Sequence, residues 1–312
     1  MAYFLFKSWT PPIFSDDAVA ELTSITVNED RQLLLIRGRD RRNPILLFLH
    51  GEPGIPAMYL AHAFQRDWEK HFVVVHWDQW ASGKSFGKGL DPSLIRTSQL
   101  ISDAEAIVEY LRECFPGQPI FLLGHSHGRH LGAILASRHP EWFSAFIGVG
   151  QVADEGSARE IQDAYLSPLL SEYGYGPDAE LTQALRAELL FRTGSELHGE
   201  TSFVPLLITG LLAPEYSFFD AMTVAQGSSF SSAHMKKAMI DGPLMSAVQS
   251  FDLPVYIIMG AHDMVTLVGL ARRYFDSIEA PDKAFHVVEN AAHFPFFEQP
   301  ARVLEILERV AR

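Results

Sequence analysis

Residues 120–128 read I-F-L-L-G-H-S-H-G, and the fold class follows from them. Its first four residues form a continuous apolar run, which is typical of a strand buried on both faces of a parallel sheet. A helical pattern follows at residues 127–139. Ser126 is therefore predicted to lie on a tight turn between a strand and a helix, where glycines at 124 and 128 allow close packing. The alternative, a glycine-rich turn with an incidental serine, is less favoured in this context.

The buried-strand signature recurs on both sides of this turn. Further strands are predicted at 33–36, 45–49, 72–75, 145–149, 255–259 and 285–288, and helices at 98–115, 127–139, 267–278 and 301–310. Strands that alternate with helices indicate an α/β protein with a doubly wound, mostly parallel sheet covered by helices on both faces.

The alternation stops between residues 152 and 247. This stretch has helical patterns at 180–191 and 218–225, separated by Gly and Pro, and no strong strand signal. We therefore predict a helical cap inserted into the sheet domain. The predicted bounds are 1–151 for the first part of the core, 152–247 for the cap and 248–312 for the second part of the core.

A serine hydroxyl needs a base to remove its proton and an acid to orient that base. Asp263 follows the predicted strand 255–259, and His293 follows the predicted strand 285–288. Their order along the chain, Ser then Asp then His, is the one expected after a G-x-S-x-G turn. Asp241 and Asp252 are rival acids, but each precedes its strand and is expected at the opposite edge. Ser126, Asp263 and His293 are thus the predicted catalytic triad.

The loop at residues 50–54 reads H-G-E-P-G and follows the strand 45–49. A loop at this point supplies one backbone N–H to a developing oxyanion, and the residue after the serine supplies another. The predicted donors are the backbone N–H groups of Glu52 and His127. We expect His50 to support this loop rather than to react. A simple turn is the alternative, since Pro and Gly favour turns.

With these residues, the chain resembles the proline iminopeptidase group (peptidase family S33) of α/β-hydrolases. The group shows H-G-G-P-G, here residues 50–54, and D-Q-R-G-x-G-x-S, here residues 78–85. Its G-x-S-W-G turn corresponds to residues 124–128, with His127 in place of tryptophan. The resemblance covers about 33–150 and 250–312. It implies the α/β-hydrolase fold and release of N-terminal residues from small peptides, although similar members cleave esters, amides and lactones.

Three residues depart from the group. Arg129 and His130 follow the turn where small or apolar residues are usual, and Glu52 replaces a glycine. His125, His127 and His130 together suggest a zinc cluster, but side chains on such a turn should diverge, so no metal site is predicted. Residues 83–85 read G-K-S, but a phosphate-binding loop would require glycine where Asp78 stands.

The composition limits the kinds of partner that we expect for this chain. A net charge of −13 argues against nucleic acid and anionic membranes, because neutralising phosphates requires clustered Lys and Arg. The single cysteine, Cys114, excludes an intramolecular disulfide. The apolar run at 1–9 is too short for a signal peptide, and no window reaches the length of a membrane span. We expect a cytoplasmic protein without a cofactor that acts on a small molecule or short peptide; its oligomeric state stays open.

The leading functional hypothesis is a serine hydrolase that forms an acyl-enzyme. Peptide or amide substrates come first, and a carboxylesterase or lactonase is the alternative. An aminopeptidase must bind a cationic amine, and acids in the predicted cap such as Glu188, Glu196 and Glu200 are candidates. Serine rather than aspartate at 126 argues against dehalogenase and epoxide-hydrolase chemistry. The alternative of another class is a ligand-binding protein, or an altered variant of a hydrolase with weak or absent activity.

Overall fold

A computed structural model of the chain describes residues 8–51, 54–87, 90–92, 96–151, 154–239 and 248–312. Within these ranges eight strands form one sheet. They are β1 (Val19–Val27), β2 (Asp30–Gly38), β3 (Ile45–Leu49), β4 (Val73–Asp78), β5 (Ile120–His125), β6 (Ala145–Val149), β7 (Val255–Gly260) and β8 (Lys283–Val288). The predicted strands are all present, and β1 was not predicted.

Ten α-helices lie among the same residues. They are α1 (Met58–Phe64), α2 (Thr97–Cys114), α3 (Gly128–Arg138), α4 (Glu155–Leu166), α5 (Gln183–Arg192), α6 (Val204–Leu211), α7 (Phe218–Met239), α8 (Val268–Ser277), α9 (Pro295–Glu298) and α10 (Pro300–Val310). Short 3₁₀ turns lie at Trp68–Lys70, Gly83–Ser85, Pro140–Trp142 and Ser167–Leu169. None of the described helices is both long enough and apolar enough to cross a membrane.

The strand order is β1-β2-β4-β3-β5-β6-β7-β8. β1 and β2 are antiparallel to their neighbours, whereas β3 to β8 run parallel to one another. The predicted α/β class, with a doubly wound and mostly parallel sheet, is confirmed. Because β3 and β4 exchange places in the order, the loops after β3 and β5 lie side by side at the carboxyl edge.

Each face of the sheet has its own buried core. Alternate residues of β3 belong to different cores. Ile45, Leu47 and Leu49 pack with α2, α3 and α8 on one face. Leu46 and Phe48 pack with α1, α9 and α10 on the other. Burial on both faces explains why the central strands read as continuous apolar runs.

The chain between β6 and β7 carries α4 to α7, and we call it the β6–β7 insertion. It contacts loops at the carboxyl edge of the sheet: Gln162 donates to the carbonyl oxygens of Met264 and Val265 at 2.9 Å, and Ser231 donates to the carbonyl of Ala81 at 3.3 Å. The helical character predicted for this stretch is confirmed. Its predicted bounds at 152 and 247 lie outside the described residues and stay a prediction.

Candidate active site

Ser126 stands directly after β5 in a left-handed backbone conformation, with φ of +50°. A non-glycine residue in this region is strained and persists only where its surroundings hold it. Here the N–H of Ser126 donates to the carbonyl of Val149, the last residue of β6, at 2.8 Å. The neighbouring strand thus fixes the turn that presents the hydroxyl at the carboxyl edge.

Gly124 and Gly128 must be glycine because other backbone atoms pass too close to leave room for a side chain. A Cβ built on Gly124 would lie 2.5 Å from the Cα of Arg129. A Cβ built on Gly128 would lie 2.3 Å from the carbonyl oxygens of both Leu49 and His50. The G-x-S-x-G spacing therefore lets α3 begin directly against the end of β3.

Asp263 and His293 are adjacent in space although they are 30 residues apart in the chain. The Nδ1 atom of His293 lies 3.0 Å from Oδ2 of Asp263, and both side chains are buried. Since the carboxylate accepts, the imidazole carries its proton on Nδ1, which leaves Nε2 as the basic nitrogen. This is the pairing that a general base and its orienting acid require.

Further donors hold the Asp263 carboxylate. Its Oδ1 accepts the N–H groups of Val265 and Thr266 at 2.9 Å, and its Oδ2 accepts the Thr266 hydroxyl at 2.6 Å. Burial alone would raise the pKa of Asp263, but His293 and the Thr266 donors outweigh it and lower the pKa below its ordinary value. Asp263 is thus kept ionised. Thr266 is not among the site residues predicted from the sequence, although a hydroxyl three residues after an acid is a recognisable signal.

His125 connects Ser126 with His293. Its Nε2 donates to the carbonyl of His293 at 2.9 Å, and the two rings pack with centroids 4.8 Å apart. A Cβ built on Gly150 would lie 3.0 Å from Cε1 of His293, so the end of β6 closes against the same ring. The structure therefore brings Ser126, Asp263 and His293 together at one edge of the sheet.

The loop after β3 lies against the serine. A Cβ built on Gly51 would be 2.9 Å from the Cβ of Ser126. His50 accepts the N–H of Gln79 at 3.2 Å, and its own carbonyl accepts from the Gln79 amide at 3.2 Å, which is the supporting role predicted for it. Among the described residues no acceptor takes the N–H of His127. Glu52, the other predicted oxyanion donor, lies outside the described residues.

The three histidines around the turn do not converge on one point. His127 and His130 stack at 6.2 Å, whereas His125 packs on His293. Arg129 is buried, and its charge opposes the rise that burial causes in the pKa of Tyr274, to about 12. The described residues contain no group of three or more potential metal ligands.

The three acids suggested for amine binding lie in different surroundings. The carbonyl of Glu196 accepts the N–H of His293 at 3.0 Å. Burial, together with the negative charge of Glu196, raises the pKa of Tyr59 on α1 to about 12. Glu188 instead bonds Tyr175 and Arg192 at the surface, and Glu200 is exposed. Of the three, Glu196 is adjacent to His293.

The sequence family described as the alpha/beta hydrolase fold matches residues 44–300. The probable aminopeptidase YbaC of Bacillus subtilis (strain 168) is 29% identical over 309 residues, which are 95% of this chain and 97% of that protein. The solved structure of the proline iminopeptidase-related protein TTHA1809 from Thermus thermophilus has a TM-score of 0.64 at 18% identity, over 94% of this chain and 97% of that one.

The esterase RhEst1 from Rhodococcus sp. ECU1013 also has a TM-score of 0.64, at 14% identity, over 95% of this chain and 98% of that one. At this identity the two solved structures share the fold with the chain. The relatives agree with the resemblance to proline iminopeptidases noted in the sequence. The family match covers most of the chain, and the chain therefore belongs to the α/β-hydrolase family and is a hydrolase.

Proposed function

We propose that the protein is a serine aminopeptidase with Ser126 as nucleophile, His293 as general base and Asp263 as the orienting acid. The observation that carries this proposal is the 3.0 Å contact between His293 Nδ1 and a fully buried, ionised Asp263, next to a serine held on a strained turn. A buried imidazole–carboxylate pair beside an activated hydroxyl is the arrangement that nucleophilic acyl transfer needs.

The reaction follows from these positions. Nε2 of His293 removes the hydroxyl proton of Ser126, and the oxygen attacks the substrate carbonyl. The N–H of His127 donates to the oxyanion, with Glu52 as the second donor predicted from the sequence. Asp263 stabilises the imidazolium, which then protonates the departing amine. Water, deprotonated by His293, releases the acyl group from Ser126.

Glu196 supports the aminopeptidase assignment. A substrate with a free N-terminus carries a positive charge next to the scissile carbonyl, so a carboxylate close to the triad favours its binding. The carbonyl of Glu196 accepts the N–H of His293, and the negative charge of Glu196 contributes to the raised pKa of Tyr59. The 29% identical relative is itself named as a probable aminopeptidase, which favours the same substrate class.

The test is a paired assay on an unblocked Pro-arylamide and a short-chain p-nitrophenyl ester. Ser126→Ala should abolish turnover, with a loss in kcat of roughly a millionfold. Glu196→Gln should lower kcat/KM for the unblocked arylamide by about 10–100-fold, because a charged hydrogen bond to the amine is lost, and should spare the ester. The matched controls are Ser171→Ala and Glu200→Gln, at exposed positions of the β6–β7 insertion.

The outcomes separate the candidate functions. Turnover of the arylamide that depends on both Ser126 and Glu196 supports the aminopeptidase. Turnover of the ester alone, still dependent on Ser126, would make the protein an esterase. If neither substrate is turned over in a way that depends on Ser126, the proposal fails, and the result favours the ligand-binding protein.

A further inference from the structure

Glu298, at the end of α9, gathers backbone N–H groups from two separate parts of the chain. Its Oε1 accepts the N–H of His198 at 2.6 Å, and its Oε2 accepts the N–H of Phe294 at 3.0 Å. Both oxygens accept the N–H of Ala292, at 3.0 and 2.9 Å. A carboxylate is an acceptor through both oxygens, so this side chain satisfies three donors at once.

Two of these donors flank His293. Its own main chain is held from other directions: its N–H donates to Glu196 at 3.0 Å, and its carbonyl accepts from His125 at 2.9 Å. Glu298 therefore completes a set of hydrogen bonds that fixes the backbone of three successive residues. Fixing that backbone directs the imidazole toward Asp263, since the ring can turn only about its own side-chain bonds.

The third donor belongs to the β6–β7 insertion. His198 lies two residues after Glu196, and its ring stacks on that of His262 at 4.1 Å. His262 in turn precedes Asp263. One carboxylate thus joins the segment that carries Glu196 to the loop that carries His293, in the part of the insertion that contacts the triad.

We infer that Glu298 is a positioning residue that holds His293 in its catalytic orientation. Through His198 it also couples the position of Glu196 to that of His293. This inference rests on the proposed function, because His293 and Glu196 have their roles there. Glu298 does not touch the reacting atoms; it acts through the main chain of Ala292, Phe294 and His198.

The test uses Glu298→Gln in the full chain, with Glu305→Gln as the matched control. Glu305 is an exposed residue of α10 that pairs with Arg302 at the surface. The side-chain amide that replaces the carboxylate would set an NH₂ group against backbone donors, so part of the set is lost. For the ester we expect kcat to fall by about 10–100-fold with KM nearly unchanged. For the unblocked arylamide KM should also rise, because Glu196 is displaced.

Two measurements that do not depend on turnover accompany the kinetics. In the wild type, the Nδ1 proton of His293 should give a downfield proton NMR signal, and the amides of His198, Ala292 and Phe294 should exchange slowly with solvent. In Glu298→Gln the signal should broaden or vanish and the three amides should exchange faster together. Glu298→Asp keeps the charge on a shorter side chain and should give intermediate values, which also serves if the Gln variant does not fold.

A purely structural role predicts another result. If Glu298→Gln lowers the Tm but keeps the kcat and the His293 signal of the wild type below its unfolding temperature, the inference is overturned. It is also overturned if exchange at Ala292 and Phe294 rises while His198 is unaffected, since the coupling is then absent. If the wild type turns over neither substrate, the proposed function fails, and the NMR and exchange data still decide the role of Glu298.

Discussion

Asp78 ends β4 with a fully buried carboxylate. Its Oδ2 accepts the hydroxyl of Tyr216 at 2.6 Å and the backbone N–H of Lys84 at 2.8 Å. The ammonium of Lys84 pairs with Asp220 at 2.7 Å. Asp78 and Lys84 belong to the core, whereas Tyr216 and Asp220 belong to the β6–β7 insertion. These contacts therefore link the loop after β4 to the start of α7.

Burial raises the pKa of Asp78 to about 7, in spite of the hydrogen bonds from Tyr216 and Lys84. The ordinary value is 3.8, so the folded protein holds an extra proton between about pH 4 and pH 7. Stability that depends on this proton is present at low pH and is lost as the pH rises through that interval, at up to about 1.4 kcal/mol per pH unit. As the pH is raised from 5 to 8, the free energy of unfolding of Asp78→Asn should therefore increase relative to that of the wild type.

Urea unfolding of both proteins at these two pH values measures the change. Asp252→Asn is the control, because Asp252 is exposed on the loop before β7. It accounts for the loss of a carboxylate at the surface. A difference for Asp78→Asn that is constant with pH would contradict the raised pKa of the buried carboxyl.

The sequence alone located Ser126, Asp263 and His293 at strand ends because the carboxyl ends of parallel strands share one edge. It offered no means of choosing Glu196 over the other acids of the insertion. The role of Glu298 could not be predicted from the sequence either, because its hydrogen bond to His198 joins residues that are 100 positions apart. Residues that act through tertiary contacts with the main chain leave no local pattern in a single sequence.

At the scale of elements, the strand–turn–helix unit from β5 to α3 is built on close backbone approach. Gly128 begins α3 where the carbonyl oxygens of Leu49 and His50 pass, with room for no side-chain carbon. The same contact places the end of β3, and with it the loop of Gly51, against Ser126. Packing at this one position thus serves both stability and the geometry of the site.

Gly128→Ala should lower both the stability of the fold and the activity. Its Cβ would meet backbone atoms, which cannot rotate away, so we expect the free energy of unfolding to fall by about 1–3 kcal/mol. Displacement of the loop beside Ser126 should also lower kcat by about 100-fold. The matched control is Gly269→Ala on α8, where a built Cβ meets nothing within 4 Å. Stability of Gly128→Ala equal to that of the control in urea unfolding would show that the contact relaxes freely.

Elements were predicted from the sequence to different degrees for a physical reason. The central strands and α2, α3, α8 and α10 are evident because burial imposes a clear apolar pattern. β1 was missed because it is an edge strand whose residues alternate in exposure. α7 extends to Met239, well past its predicted end at 225, through the serine-rich stretch after Gly227. There Ser231 bonds the carbonyl of Ala81, so tertiary contact outweighs weak helix propensity.

At the scale of the whole molecule, burial of titratable groups couples the fold to pH. The histidines His50, His76 and His125 are buried in the core, and burial lowers the pKa of each to about 3. Their ordinary value is 6.5, so the unfolded chain binds these protons first on acidification. Each therefore destabilises the fold as the pH falls from about 6.5 toward 3, whereas Asp78 acts in the opposite direction.

His76 allows one contribution to this balance to be measured. It stacks on Phe48 at 4.8 Å, and its Nε2 donates to Gln65 at 2.8 Å. His76→Gln loses this packing and should be less stable than the wild type at pH 7.5. The gap should narrow by about 1.4 kcal/mol per pH unit between pH 6 and pH 4.5, because only the wild type binds a proton at this position on unfolding.

Urea unfolding at pH 7.5, 6 and 4.5 measures that gap. His71→Gln is the control for the loss of a histidine outside the core, because His71 is exposed and pairs with Glu308 at the surface. A gap for His76→Gln that stays constant over this range would mean that His76 binds its proton equally in the folded and unfolded states. The acid sensitivity of the fold would then have to come from groups other than His76, although the core encloses His76 more fully than His50 or His125.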